Sequence, residues 1–258
     1  VASAVAAGDH SGRDLAVLAL ATLAAGSGAG SLNHWLDRDL DARMPRTRTR
    51  PLPDGRLSPS VALGLGLLLV LIGASTATTA LGPGAAAYLL AGAATYVVVY
   101  TGWLKPRTPF SIVWGGAAGS FAALAGWQTA ASTLAPAPLV LAGVLFLWTP
   151  SHFWSFAIAR ETDYAYGGVP TLVAVAGPAR AARAAATSAA GLVLWSWLLC
   201  AFLSWPYALV VFPAGIWFLR LACALARDPS PERAWRVFKL SGIHLLVVLV
   251  GLAAAGLA

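Results

Sequence analysis

Eight apolar stretches alternate with polar connections along the chain, at 15–36, 58–81, 84–104, 110–131, 136–159, 184–204, 207–226 and 239–257. Each is about 20 residues long, the length an α-helix needs to cross a bilayer core. Lipid offers no partner to an unpaired backbone group, so spanning segments must satisfy their own hydrogen bonds, and all eight are expected to be helices. The pattern predicts an all-α transmembrane bundle forming one domain over residues 1–258. The opening "VASAVAAGDHSG" reads as the last turns of an earlier apolar segment running into a loop, so a ninth span is expected before Val1. It has neither the basic start nor the cleavage site of a signal peptide.

Charge sharpens this picture. Only 10% of the residues are charged, against about 25% in an ordinary soluble domain, and 59% are hydrophobic. Sixteen of the seventeen Lys and Arg fall in the connections after the first, third, fifth and seventh stretches, and Arg13 is the exception. The alternate connections, near Gly82 to Gly84, Ser132 to Ala137 and Trp205 to Pro206, carry no charge. By the positive-inside rule the basic connections face the cytoplasm, which suits a multi-pass protein of a bacterial inner membrane. A formal charge of +7 then reflects topology and anionic ligands, and nucleic acid is not an expected partner. Cys200 and Cys223 lie inside spans without CxxC pairing. A disulfide framework, a zinc ribbon and covalent haem attachment are thereby excluded.

One connection stands apart. "NHWLDRDLDARMPRTRTRPLPDGRLSP", from Asn33 to Pro59, holds four acids and six arginines. If the first helix continues past Asn33, then Asn33, Asp37 and Asp41 fall at i, i+4 and i+8 on one face, and Asp39 points elsewhere. Carboxylates gathered at a membrane surface call for a cation between them, and Mg²⁺ is held by one or two carboxylates together with substrate phosphates. Arg46, Arg48 and Arg50 supply forked donors for those phosphates. A self-neutralising solvated loop is the competing reading. In "YTGWLKPRTP", Tyr100, Lys105 and Arg107 can close on a diphosphate from the opposite side, or serve as an interfacial aromatic with topology anchors. His152, in "TPSHFW", is an ionisable group at membrane depth and a neutral imidazole suited to iron.

These segments resemble the intramembrane aromatic prenyltransferase superfamily. "DRDLDARMPRTRTRPLPDG" matches its first signature, and "YTGWLKPRTPFSIVWGGAAG", "WTPSHFW" and "DYAYGGVPTL" follow in the same order, the last two resembling its protohaem IX farnesyltransferase branch. The resemblance implies an Mg²⁺-dependent transfer of a farnesyl group from farnesyl diphosphate to the 2-vinyl group of protohaem IX. Haem is then a substrate and not a prosthetic group, and a haem A synthase is expected to act downstream. Asp37, Asp41, Lys105 and Arg107 become the catalytic residues, and Asn33, Arg46, Arg50, Tyr100, His152 and Tyr164 the substrate contacts. The metal set is Asn33, Asp37 and Asp41, with Glu161 and Asp163 as the opposing wall. Ser151, Thr171 and Ala174 depart from the usual pattern where the acceptor would lie, and a proline usual near "SFAALAGW" is absent. A quinone-precursor acceptor, or at further remove a transporter of anionic metabolites, are the alternatives.

Overall fold

The computed structural model describes residues 1–8, 11–131 and 135–256, and twelve α-helices are defined among them. Helix α1, Ala2–Ala7, is wedged between α6, Ala117–Ala130, and α12, Pro231–Gly256. Helix α2, Gly12–Asp41, is opened by a capping box in which Ser11 and Asp14 bond each other's backbone N–H. It lies along α3, Pro59–Leu81, and α4, Pro83–Ala94, follows after Gly82. The chain then runs without a break into a π-helical segment, Thr95–Leu104. Short helices α5, Ser111–Gly115, α8, Glu161–Gly167, and α9, Leu172–Ala176, flank α7, Pro136–Ala159. Helices α10, Pro178–Leu198, and α11, Trp205–Arg227, complete the bundle.

Prolines open α3, α4, α7, α10 and α12, because the first helical position needs no N–H. Gly82 and Gly177 adopt φ of 98° and 80°, which lets the chain leave one helix and enter the next within a residue or two. Leu20, Leu23, Leu67, Leu68 and Leu71 face outward on α2 and α3. Ala21 and Ala25 are buried beside Gly73, and Gly28 meets Gly66. Large apolar side chains outside and small ones inside is the arrangement lipid favours, since small residues let backbones meet.

Among the described residues seven helices are long and apolar enough to span, at Gly12–Asp41, Pro59–Leu81, Pro83–Leu104, Pro136–Ala159, Pro178–Ala201, Trp205–Arg227 and Pro231–Ala255. The expected span at 110–131 is instead α5 and α6, parted at Gly116. Any side chain at Gly116 would press on the Phe146 carbonyl 2.8 Å away, and one at Gly115 would meet the Tyr100 ring at 2.9 Å. Apolar content cannot distinguish one straight helix from two that pivot on a glycine. Helices α2, α10 and α12 also run several residues beyond their expected ends, carrying Asp37 to Asp41, Arg180 and Arg183, and Arg233 to Lys239. Hydropathy locates the apolar centre of a helix and misses charged turns that reach the interface. Much of the uncharged connection after α6, at residues 132–134, lies outside the described residues.

Candidate active site

The last turns of α2 carry Asn33, Asp37 and Asp41 on its inner face, and none is more than 9% exposed. The Asp39 carboxylate points away and is 79% exposed. Asn33 Nδ2 donates to Asp37 Oδ2 at 2.9 Å and to Thr101 Oγ1 at 3.0 Å. Past Asp41 the arginine-rich loop folds back over the helix end. Thr47 Oγ1 donates to the Asp41 carbonyl at 3.0 Å, satisfying one of the acceptors that a helix C-terminus leaves open. Arg50 Nη1 donates to Asp41 Oδ2 at 2.8 Å.

Opposite this face stands the π segment. An α-helix turns once in about 3.6 residues, so nine residues make two and a half turns and Tyr96 and Lys105 would face opposite ways. The π winding closes i→i+5 hydrogen bonds, such as Lys105 N–H to the Tyr100 carbonyl at 2.8 Å, and nine residues become about two turns. Tyr96, Tyr100 and Lys105 all line one cavity as a result. Lys105 Nζ donates to Asp37 Oδ2 at 2.5 Å.

That polar cavity measures about 170 Å³ and is bounded by Asn33, Asp37, Asp41, Arg46, Arg50, Tyr96, Tyr100, Lys105, Ser111, Phe153, Tyr164 and Thr171. Arg46 reaches across to Asp163 at 3.6 Å and lies over the Phe156 ring. Burial pushes the Tyr164 phenol up to about 12, with Arg46 opposing the shift, so it stays protonated and able to donate. Tyr96 also lines an apolar cavity of about 150 Å³ bounded by Ala25, Ala29 and Gly92. Through Thr22, Gly26 and Ala122 that cavity adjoins an apolar groove of about 720 Å³. The small residues of α2 thus line apolar space that shares Tyr96 with the charged cavity.

Not every expected residue joins the cluster. Arg107 turns back to the carbonyls of Trp103 and Gly102, at 2.6 and 3.4 Å, and stays outside the cavity. Glu161 is exposed at the start of α8, so the opposing acidic wall is reduced to Asp163, which is paired with Arg46 and lies outside the cavity lining. Arg48 is exposed. His152 lies on the other flank of α7, stacked between Trp148 and Phe238 with ring centroids 4.3 Å away on each side. Its Nδ1 is 2.7 Å from Ser241 Oγ on α12. Tyr96, Thr101 and Ser111 belong to the site or touch it and were not anticipated, Tyr96 because an α-helical period sets it opposite Lys105, and Thr171, expected near the acceptor, lines the cavity as well.

The family model described as the UbiA prenyltransferase family matches residues 1–254. The chain belongs to the UbiA prenyltransferase family. It is 41% identical to protoheme IX farnesyltransferase 2 of Paramagnetospirillum magneticum over 238 residues, covering 90% of this chain and 81% of that protein. It is 39% identical to protoheme IX farnesyltransferase of Thermosynechococcus vestitus over 245 residues, 92% and 77% of the two chains. Among solved structures it resembles a digeranylgeranylglyceryl phosphate synthase at a TM-score of 0.77, with 16% identity and 99% and 90% coverage. A UbiA homologue from Archaeoglobus fulgidus bound to GPP and Mg²⁺ matches at 0.68, with 14% identity and 97% and 93% coverage. These likenesses show the UbiA fold, and the protein is an integral membrane prenyltransferase.

The donor set of this UbiA site suits Mg²⁺. All of its members offer oxygen, and one oxygen of each carboxylate is engaged by Lys105 or Arg50 while the other has no hydrogen-bond partner among the described residues. No group of three or more His, Cys, Asp or Glu side chains converges as a metal site among the described residues. Mg²⁺ is ordinarily held by one or two carboxylates with phosphate and water completing its shell, and Asp37 and Asp41 offer those two.

Proposed function

We propose that this UbiA-family protein transfers the farnesyl group of farnesyl diphosphate to the 2-vinyl group of protohaem IX, giving haem O. The observation that carries the prenyl-transfer half is the meeting of Asp37 and Asp41 with Lys105, Arg50 and Tyr164 in one cavity, which shares Tyr96 with an adjoining apolar cavity. The haem half is supported by the name shared by the relatives that match most of the chain. Asn33, Asp37 and Asp41 would hold Mg²⁺, which when bound supplies positive charge to the diphosphate. Lys105, Arg50 and Arg46 bind the diphosphate oxygens, and the protonated Tyr164 donates to one of them. The allylic C–O bond breaks and diphosphate leaves with the electron pair. The vinyl π-electrons then form the new C–C bond to the farnesyl C1, and water adds to the resulting porphyrin-side cation with loss of a proton. The apolar cavity beyond Tyr96 holds the farnesyl tail and keeps water from the first cation. His152 would meet the haem from the α7–α12 side, and the basic connections face the cytoplasm.

The test is the product made by detergent-purified protein given farnesyl diphosphate, Mg²⁺ and either haem b or a hydroxybenzoate-type ring. Mass spectrometry is expected to show hydroxyethylfarnesyl haem from the first mixture only. Product from the hydroxybenzoate mixture alone would replace haem with a quinone precursor as acceptor.

A further inference from the structure

The side-chain amide of Asn33 can face the cavity with its oxygen or with its nitrogen, and only the oxygen can ligate a hard cation. Two neighbours decide between them. Asp37 Oδ2 accepts one amide proton, and Thr101 Oγ1 lies 3.0 Å from the same nitrogen. The single hydroxyl proton of Thr101 is already given to the Tyr96 carbonyl at 2.8 Å, so toward Asn33 this hydroxyl can only accept. A flipped amide would set its oxygen against two acceptors. Thr101 is 5% exposed, so water cannot easily take its place. It stands behind Asn33, outside the lining of the cavity.

We propose that Thr101 is a positioning residue for prenyl transfer: its hydroxyl holds the Asn33 amide with the oxygen toward the cavity, and so sets the affinity of the site for the divalent cation that accompanies a prenyl diphosphate. The proposal rests on the reading of Asn33, Asp37 and Asp41 as the magnesium–diphosphate site. The π winding is part of the device, because Thr101 spends its proton on the carbonyl five residues earlier, and that bond commits its lone pairs to Asn33.

The experiment titrates Mg²⁺ into purified protein holding farnesyl thiodiphosphate, an unreactive analogue, with tryptophan fluorescence reporting binding. Thr101→Val keeps the shape and removes the acceptor. Half-maximal binding is expected to need about tenfold more Mg²⁺, the usual cost of losing a partner behind a metal ligand. Thr101→Ser should restore the wild-type requirement, and in an Asn33→Ala background Thr101→Val should add nothing. Should the valine variant not fold, Thr101→Ala set against Thr101→Ser makes the same comparison. An unchanged Mg²⁺ requirement in Thr101→Val, or full additivity with Asn33→Ala, would overturn the proposal, provided Asp37→Asn abolishes Mg²⁺-dependent binding. If Asp37→Asn binds the analogue normally with Mg²⁺, the reading of the site itself fails.

Discussion

The two halves of the bundle are packed by different means. Helices α2, α3, α4 and α6 meet through alanine and glycine. A Cβ at Gly28 would lie 2.6 Å from the Gly66 carbonyl oxygen, and one at Gly73 would lie 2.6 Å from that of Ala21. Helices α7, α10, α11 and α12 bury alanines as well, such as Ala182 and Ala185 on α10, but they also enclose large side chains, among them Leu192, Tyr207, Phe218 and Leu225, none more than 1% exposed. The charged cluster hangs from the first half and His152 from the second. In lipid, helix association depends on contact and not on burial from water, so touching backbones hold their partners at a fixed spacing. The carboxylates of α2 and Lys105 at the end of the π segment need that spacing, because a displacement of an ångström separates a charge from its partner. A ring stack tolerates more, since neighbouring side chains can repack around it.

The largest expected effect comes from breaking the charged half. Asp37→Asn and Asp41→Asn should each lower turnover by about 10²–10³-fold, the usual loss when one group that stabilises developing charge is removed. Asp39→Asn, on the outer face, should leave turnover within about twofold. Product yield per folded protein checks all three, and an Asp39 effect equal to that of Asp37 would refute the assignment of faces. Next comes the packing contrast. Gly28→Val should cost about 1–3 kcal/mol of stability because the backbone of α3 cannot give way, whereas Leu192→Met should cost less than about 1.5 kcal/mol. Thermal unfolding in one detergent ranks them, and a reversed order would dissolve the distinction between the halves. A smaller and more selective effect is expected at His152. His152→Ala should weaken haem binding about tenfold, or about 1.4 kcal/mol, and leave Mg²⁺-dependent binding of farnesyl diphosphate unchanged. Equal loss of both ligands would assign His152 to the fold of α7 against α12. The smallest effects belong to Arg107→Ala and Glu161→Gln, which should change turnover by less than about twofold because neither side chain reaches the cavity.

Much of this arrangement is legible in the sequence. A period of four over Asn33, Asp37 and Asp41 was enough to place them together and Asp39 apart, because that stretch is regular α-helix with i,i+4 geometry. The same reasoning fails over 95–104, where the winding changes without any residue that announces it, and Tyr96 passes unnoticed, while Thr101 is marked only by its long-range contact with Asn33. Glu161 and Arg107 fail differently. A charged residue in a motif is equally visible whether it turns into a site or out to solvent, and only the packing of α8 and the carbonyls at the end of the π segment decide which.

The sequence by itself determined the membrane setting, the helical class and the concentration of charge at one end of the bundle. Those follow from hydropathy and from the cost of burying charge, and both are properties of single residues and their near neighbours. Only the tertiary structure decided that the apolar stretch at 110–131 is two helices around Gly116, that Lys105 meets Asp37 across the π segment, and that His152 faces α12 instead of the carboxylates. Each of these is a contact between residues far apart in the chain. Which such contact forms depends on how closely two backbones approach, and that is set by the packing of a whole pair of helices and by no single residue in either.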